Sequence, residues 1–484
     1  MAQTDGADAA KTDAAKADIE SARFTHGSTM RHVVVMTLTG SLGLTFAFLV
    51  DFVALFWVGQ LGNELLVAAI GFAWTIQFFT ISSAIGLMIA TVALVSRAIG
   101  ARDRASARST FTAATIIIIA LQLAIALVVV ALREPILWML GARGQALEVA
   151  SRFLLIALPS LPLMAAGMVA ASGLRAIGDA WRSMAVTLTA GIVALIVDPL
   201  LILDEIVLGR GALVLPIGLG LGVDGAAVGL IVSRVAMTVL ALYWVIRVHD
   251  LAGPASLAQI RALARPFFRI ALPAMATQMS TPMGNFIVTA IIAGFGDAAV
   301  AGWSVVSRLM ILAFGGIFAL SGAIGGIIGQ NYGAQLMDRV ARAYIDALIF
   351  CAIYTLATWG ALVALTPLVL DGFGLTGEAA RVVEAFTFVG AGAFVFTGTL
   401  FVANSAFNNL GRPLWATACN WARDGILMAP ICWLMATALA APGAVYGQAV
   451  AGTIAGGLAA LLGWRYIKGL SEQDAPAGAL QPAK

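Results

Sequence analysis

The chain has 484 residues, 61% hydrophobic and 11% charged, against roughly 25% charged in ordinary soluble domains, which excludes a soluble globule. Its formal net charge of +3 comes with scattered arginines and no basic stripe interleaved with aromatics, so no nucleic-acid partner is expected. Cys351, Cys419 and Cys432 lie in apolar stretches without CxxC spacing, and His26, His32 and His249 form no paired ligand pattern, so neither a metal nor a resident cofactor is expected.

Residues 1–28 are rich in Ala, Asp and Lys, have no signal-like apolar run and read as a disordered cytoplasmic tail. Apolar segments follow at 33–58, 65–96, 109–132, 147–173, 183–203, 223–246, 268–294, 299–329, 343–366, 383–408, 413–438 and 443–464. A helix of ~20 residues crosses the ~30 Å hydrocarbon layer of a bilayer. The pattern therefore predicts an all-α polytopic membrane protein of twelve transmembrane helices. They divide into a lobe at 29–246, a cytoplasmic linker at 247–267, a second lobe at 268–468 and a cytoplasmic tail at 469–484.

With the N-terminus inside, about twenty of the 28 Lys and Arg fall on cytoplasmic segments, five on outer segments and three within helices. That bias orients the chain with both termini in the cytoplasm, in an inner membrane. The halves also repeat each other at an offset near 233 residues. "VDFVALFWVGQLG" from Val50 aligns with "GNFIVTAIIAGFG" from Gly284, "GARDRASAR" from Gly100 with "GAQLMDRVAR" from Gly333, and "LRAIGD" from Leu174 with "FNNLGR" from Phe407. Six helices per half make the repeats parallel, related by an axis along the membrane normal. Two pseudo-symmetric six-helix bundles facing a central cavity suit alternating access.

These phrases, with "LVSRAIGARD", "IVDPLLI", "GVDGAAVG", "IIGQNYGAQLMDRVARAY" and "WARDGILMAP", resemble the multidrug and toxic compound extrusion (MATE) family over most of residues 30 to 465, in its DinF-like or archaeal-like branch. The resemblance implies paired bundles that export amphipathic, often cationic small molecules in exchange for H⁺ or Na⁺. Partners are then a small-molecule substrate, a coupling cation and membrane lipid. The natural substrate and the oligomeric state are not legible.

An ionisable side chain at bilayer depth costs at least ~2.5 kcal/mol, which makes it a functional candidate. Asp51 lies in the first segment and Asp198 in the fifth, at similar depth, so the two can share an ion-coupling site. A poorly hydrated cavity and a second carboxylate both raise a carboxyl pKa, as a proton carrier requires. In the repeat, Asp51 falls opposite Asn285. A structural hydrogen bond is the alternative role for either acid. Family members with a sodium site place Asn and Thr where this chain has Ala194 and Leu230; a hard cation needs oxygen ligands, so H⁺ is favoured. Phe48, Gln278, Met279, Met283, Asn285, Arg423 and Asp424 are candidates for the substrate cavity. Successive helical residues point about 100° apart, so Arg423 and Asp424 are each expected to find an interhelical partner. Arg234 and Arg308 read as packing or snorkelling residues, and Gln330 and Asn331 as either cavity lining or interhelical glue. An intramembrane enzyme would need a nucleophile and base or a metal cluster within the helices, and none is visible. A lipid-linked oligosaccharide flippase and a non-transporting receptor or scaffold remain as alternatives.

Overall fold

A computed structural model describes residues 22–208, 213–215 and 217–474; the side chains of residues 51, 64, 206–208, 213–215, 473 and 474 lie outside that description. In the first half the spanning helices are α1 (Thr29–Gly59), α2 (Glu64–Gly100), α3 (Arg104–Met139), α4 (Gly144–Ile177), α5 (Ala180–Ile202) and α6 (Gly222–Val248). In the second half they are α7 (Leu257–Ala293), α8, α9 (Met337–Phe373), α10 (Gly377–Asn409), α11 (Pro413–Leu439) and α12 (Ala441–Asp474). Helix α8 has two limbs, Asp297–Ala313 and Gly315–Gly333, bent by 44°. Among the described residues ten helices, with bent α8 as an eleventh, are long and apolar enough to cross a membrane. At 37 residues α7 is as long, but Arg261, Arg265 and Arg269 at its start and Gln278, Ser280 and Asn285 further on make it more polar.

Each predicted segment corresponds to one helix or to one broken pair. The linker is shorter than expected, because α7 begins at Leu257 behind a complete capping box of Ser256 and Gln259. The last residues assigned to the N-terminal tail are structured: Arg23–Thr25 form one 3₁₀ turn, and Phe24 is buried at 1% exposure. Residues 1–21 lie outside the described residues. A two-stranded antiparallel hairpin, β1 (Ile206–Leu208) and β2 (Leu213–Leu215), follows α5 and had no counterpart in the hydropathy pattern.

Buried apolar clusters fill the lobes and also cross between them, with Val33 and Met36 of α1 in the cluster of the second half and Phe267 and Ile270 of α7 in one of the first. Phe111 and Phe153 anchor two of them, drawn mainly from the first half, and Phe314, Tyr344 and Phe386 anchor the largest, drawn mainly from the second. Where helices touch, glycine admits the neighbour: a Cβ on Gly86 of α2 would stand 2.6 Å from the Met275 backbone of α7. Among the described residues three helices contain π-helical segments, Trp244–Val248 in α6, Phe386–Gly390 in α10 and Ala422–Leu427 in α11. Such insertions re-aim side chains and concentrate at functional places.

Candidate functional site

Helices α1 and α5 run in the same direction and lie against each other. Gly43 of α1 faces Met184 and Thr187, and a Cβ on Gly191 of α5 would stand 2.7 Å from Phe46 and 2.9 Å from Val50. Carried along both helices at 1.5 Å per residue, this register puts the backbones of Asp51 and Asp198 within about one turn of the same height. The backbone of Asp51 lies in α1; its side chain lies outside the described residues. Asp198 is buried at 6% exposure, beside Pro199. Helix α6 offers it Gly229, where a Cβ would overlap Asp198 Oδ1. Glycine there makes room for the carboxylate. The next residue, Leu230, packs against an apolar cluster of the lobe, and Arg234, one turn further along α6, is buried and bonded within the lobe. Its Nη1 donates to Ala157 O (3.0 Å) and Ser160 Oγ (2.6 Å), and its Nη2 donates to Gln77 Oε1 (2.8 Å).

The second lobe holds a cavity of ≈ 140 Å³ between α7, α8, α10, α11 and α12. Of the candidates it collects Asn285, Arg423 and Asp424, while Phe48, Gln278, Met279 and Met283 are not in its wall. Arg423 and Asp424 pair with each other, contrary to expectation: Nε donates to Oδ1 at 2.6 Å and Nη2 to Oδ2 at 2.9 Å. The expectation assumed regular α-helix, whereas both residues lie in the π-helical segment of α11, where the angle between neighbours changes. Gln448, Phe394, Thr397 and Phe401 were missed. The last three recur along one face of α10, a spacing that packing explains equally well in sequence.

The lobes meet most closely at the end that carries the arginine clusters, and the contact is reciprocal. A Cβ on Gly100 would overlap Gln330 O, and one on Gly333 would overlap Arg97 O. Arg97 Nε donates to Asn409 O at 2.9 Å, and Gln330 Nε2 donates to Ala176 O at 2.6 Å. Each pair is the other's equivalent under the 233-residue offset. The same offset relates the left-handed residues Arg102 and Gln335, and Gly178 and Gly411, that end α2, α8, α4 and α10. Phe24 closes the contact from the N-terminal side: its N–H donates to Gln330 Oε1 (2.9 Å), and its carbonyl accepts from Asn331 Nδ2 (3.1 Å) and Arg339 Nη2 (3.0 Å). Gln330 and Asn331 are therefore glue. Beside this contact, Asp179 Oδ2 meets His249 Nε2 at 2.9 Å and Arg182 Nη1 at 2.6 Å. Burial pushes the Asp179 carboxyl up, but the bonds from His249 and Arg182 outweigh it and hold it at about 2. Beyond Thr45 and Gly315, Arg308 of α8 also meets α1, its guanidinium lying 4.8 Å over the Phe52 ring.

The profile of the family described as MatE matches residues 41–200 and 273–434. A curated FAD transporter of Shewanella oneidensis is 27% identical over 386 residues, covering 78% of this chain and 81% of the relative. The multidrug export protein MepA of Staphylococcus saprophyticus is 22% identical, covering 90% and 92%. Among solved structures, a mutant of the Vibrio cholerae MATE transporter VcmN superposes with a TM-score of 0.84 at 25% identity, over 92% of this chain and 98% of that one. An outward-facing multidrug resistance MATE family transporter of the MOP superfamily superposes at 0.83 and 20% identity, over 94% and 99%.

Proposed function

The chain belongs to the MatE family, whose members are multi-pass secondary transporters and not enzymes, and from that premise we propose that it is an H⁺-coupled antiporter exporting amphipathic, mainly cationic drugs or metabolites by alternating access. The observation that carries the reading is the reciprocal closure at Gly100 and Gly333. Alternating access needs two lobes that part at one end while closing at the other, and a contact built twice from equivalent residues supports a closed end of that kind. With the arginine-rich end taken as cytoplasmic, the chain is closed to the cytoplasm and both termini lie there, in an inner membrane.

Asp51 and Asp198 are the coupling acids in this reading. They stand at like depth on parallel helices, and the chain has Ala194 and Leu230 where family members with a sodium site place Asn and Thr. A buried carboxylate with a second acid nearby binds a proton readily, whereas Na⁺ needs several oxygens. This supports H⁺ over Na⁺ and the DinF-like or archaeal-like branch. The MepA relatives are multidrug exporters by name and the Shewanella relative carries FAD, so a small organic substrate is common to them while its charge is not.

Purified protein reconstituted into vesicles should move a fluorescent organic cation when a pH gradient is imposed, and a sodium gradient at clamped pH should not drive it. Sodium-driven movement without a pH gradient would contradict the coupling assignment.

A further inference from the structure

We propose that the cavity of the second lobe is a subsite for a single aromatic ring carrying an oxyanion, a carboxylate or a phosphate, held by Arg423. The inference rests on the reading of the chain as an exporter of small organic molecules, and widens its substrates from cations to aromatic acids.

The charge argument is specific. Asp424 is 1% exposed and both its oxygens accept from Arg423. Gly284 of α7 lets the carboxylate lie against the helix, since a Cβ there would stand 2.9 Å from Oδ1. The acid is thus consumed within the wall. Arg423 spends Nε and Nη2 on it, and its Nη1 makes no hydrogen bond to the described residues while the residue lines the cavity. What the pair presents to a ligand is therefore the remaining N–H donor of a guanidinium and no free acceptor charge, and guanidinium donors favour carboxylate and phosphate oxygens. No other charged residue lines the cavity among the described residues. Asn285, Thr397 and Gln448 add neutral polar groups.

The shape argument is independent of the charge. Phe318, Phe386, Phe394 and Phe401 form the apolar wall, and Phe394 is fixed by stacking on Phe314 at 4.2 Å and by the edge of Phe318 at 6.0 Å. A cavity of ≈ 140 Å³ is close to the ~150 Å³ that admits one benzene ring. The π-helical segments of α10 and α11 both contribute to this wall, through Phe386 and Gly390 and through Arg423 and Asp424. Two insertions meeting at one cavity aim these side chains at a common space.

The test is a ligand-observed NMR titration of the full chain in lipid nanodiscs, without any gradient, using benzoate, phenyl phosphate and benzylammonium as probes. Wild-type protein should bind at least one of the two anions more tightly than the ammonium, and the tighter anion identifies the head group. Because an unpaired buried charge can unfold the protein, the variant is the double neutral pair Arg423→Gln with Asp424→Asn, checked for a monodisperse elution profile. It should lose the anion preference by about tenfold or more, the loss expected of one charge-assisted hydrogen bond. Tighter binding of benzylammonium by wild type, or an anion preference unchanged in the double variant, would overturn the proposal. Binding is read here without transport, so failure of proton coupling would leave this result intact, and failure here would leave the coupling reading intact.

Discussion

At the scale of single residues, the acids and the glycines that accommodate them do most to define the chain. Asp198 is buried in a stretch of α5 that is otherwise apolar from Ala190 to Ile202, and the cost of placing a carboxylate there implies a use for it. Asp198→Asn keeps the shape and one acceptor but removes the exchangeable proton. The variant should fold and export more slowly than wild type under the same pH gradient, without losing export altogether; a wild-type rate in reconstituted vesicles would remove Asp198 from the coupling site. Its neighbour is more sensitive structurally. Gly229→Val places a branched Cβ against the carboxylate and should cost about 1–3 kcal/mol, read as a lower melting temperature in detergent, whereas Asp198→Asn should leave that temperature nearly unchanged. The acids were legible in sequence because charge is rare in these segments. The glycine opposite was not, because one glycine among 51 carries no sign of what it faces.

At the scale of elements, the repeat is the feature most fully legible in advance. The phrases at Gly100 and Gly333, and at Leu174 and Phe407, matched because their turns need the same left-handed residues and their helices the same close approach. Sequence showed the equivalence but not that equivalent residues touch each other across the lobes, which depends on how the two halves are placed. The segment at Phe24 was misread as tail for the same reason, since its bonds go to Gln330, Asn331 and Arg339, some three hundred residues away. The Arg423 and Asp424 pairing was misread because a π-helical insertion leaves no signature in hydropathy. The contact itself can be tested. A valine at Gly100 or Gly333 must push the opposing carbonyl away, at an overpacking cost of about 1–3 kcal/mol. Charged against the closed state alone, that shifts the equilibrium between states about 5- to 150-fold. With Cys351, Cys419 and Cys432 replaced by alanine, a reporter Ser96→Cys lies in the closed contact, where Ser96 is 0% exposed and abuts Gly329. Maleimide should label it at least about fivefold faster in Gly100→Val or Gly333→Val than in the parent, and equal rates would show that the contact does not gate access.

At the scale of the whole molecule, twelve helices in two lobes follow from hydropathy, length and the repeat, and membership of the MatE family agrees with them. The asymmetry between the lobes is what gives the architecture a direction: the first lobe places acids at Asp51 and Asp198, and the second has Asn285 opposite Asp51 and a neutralised ion pair at Arg423 and Asp424. In the proposed reading one lobe exchanges a cation and the other holds an organic ligand, within a closure that both share. The central claim is that export is driven by proton exchange at Asp51, and the most direct measurement is gradient-driven export by Asp51→Asn protein reconstituted beside wild type in equal amounts. Asn285 shows that the fold accepts an amide at the equivalent place, and an amide cannot release a proton between pH 5 and 8. Wild type should export a fluorescent cation under the imposed pH gradient, and Asp51→Asn, folded and inserted, should not; export by the variant at the wild-type rate would contradict the account.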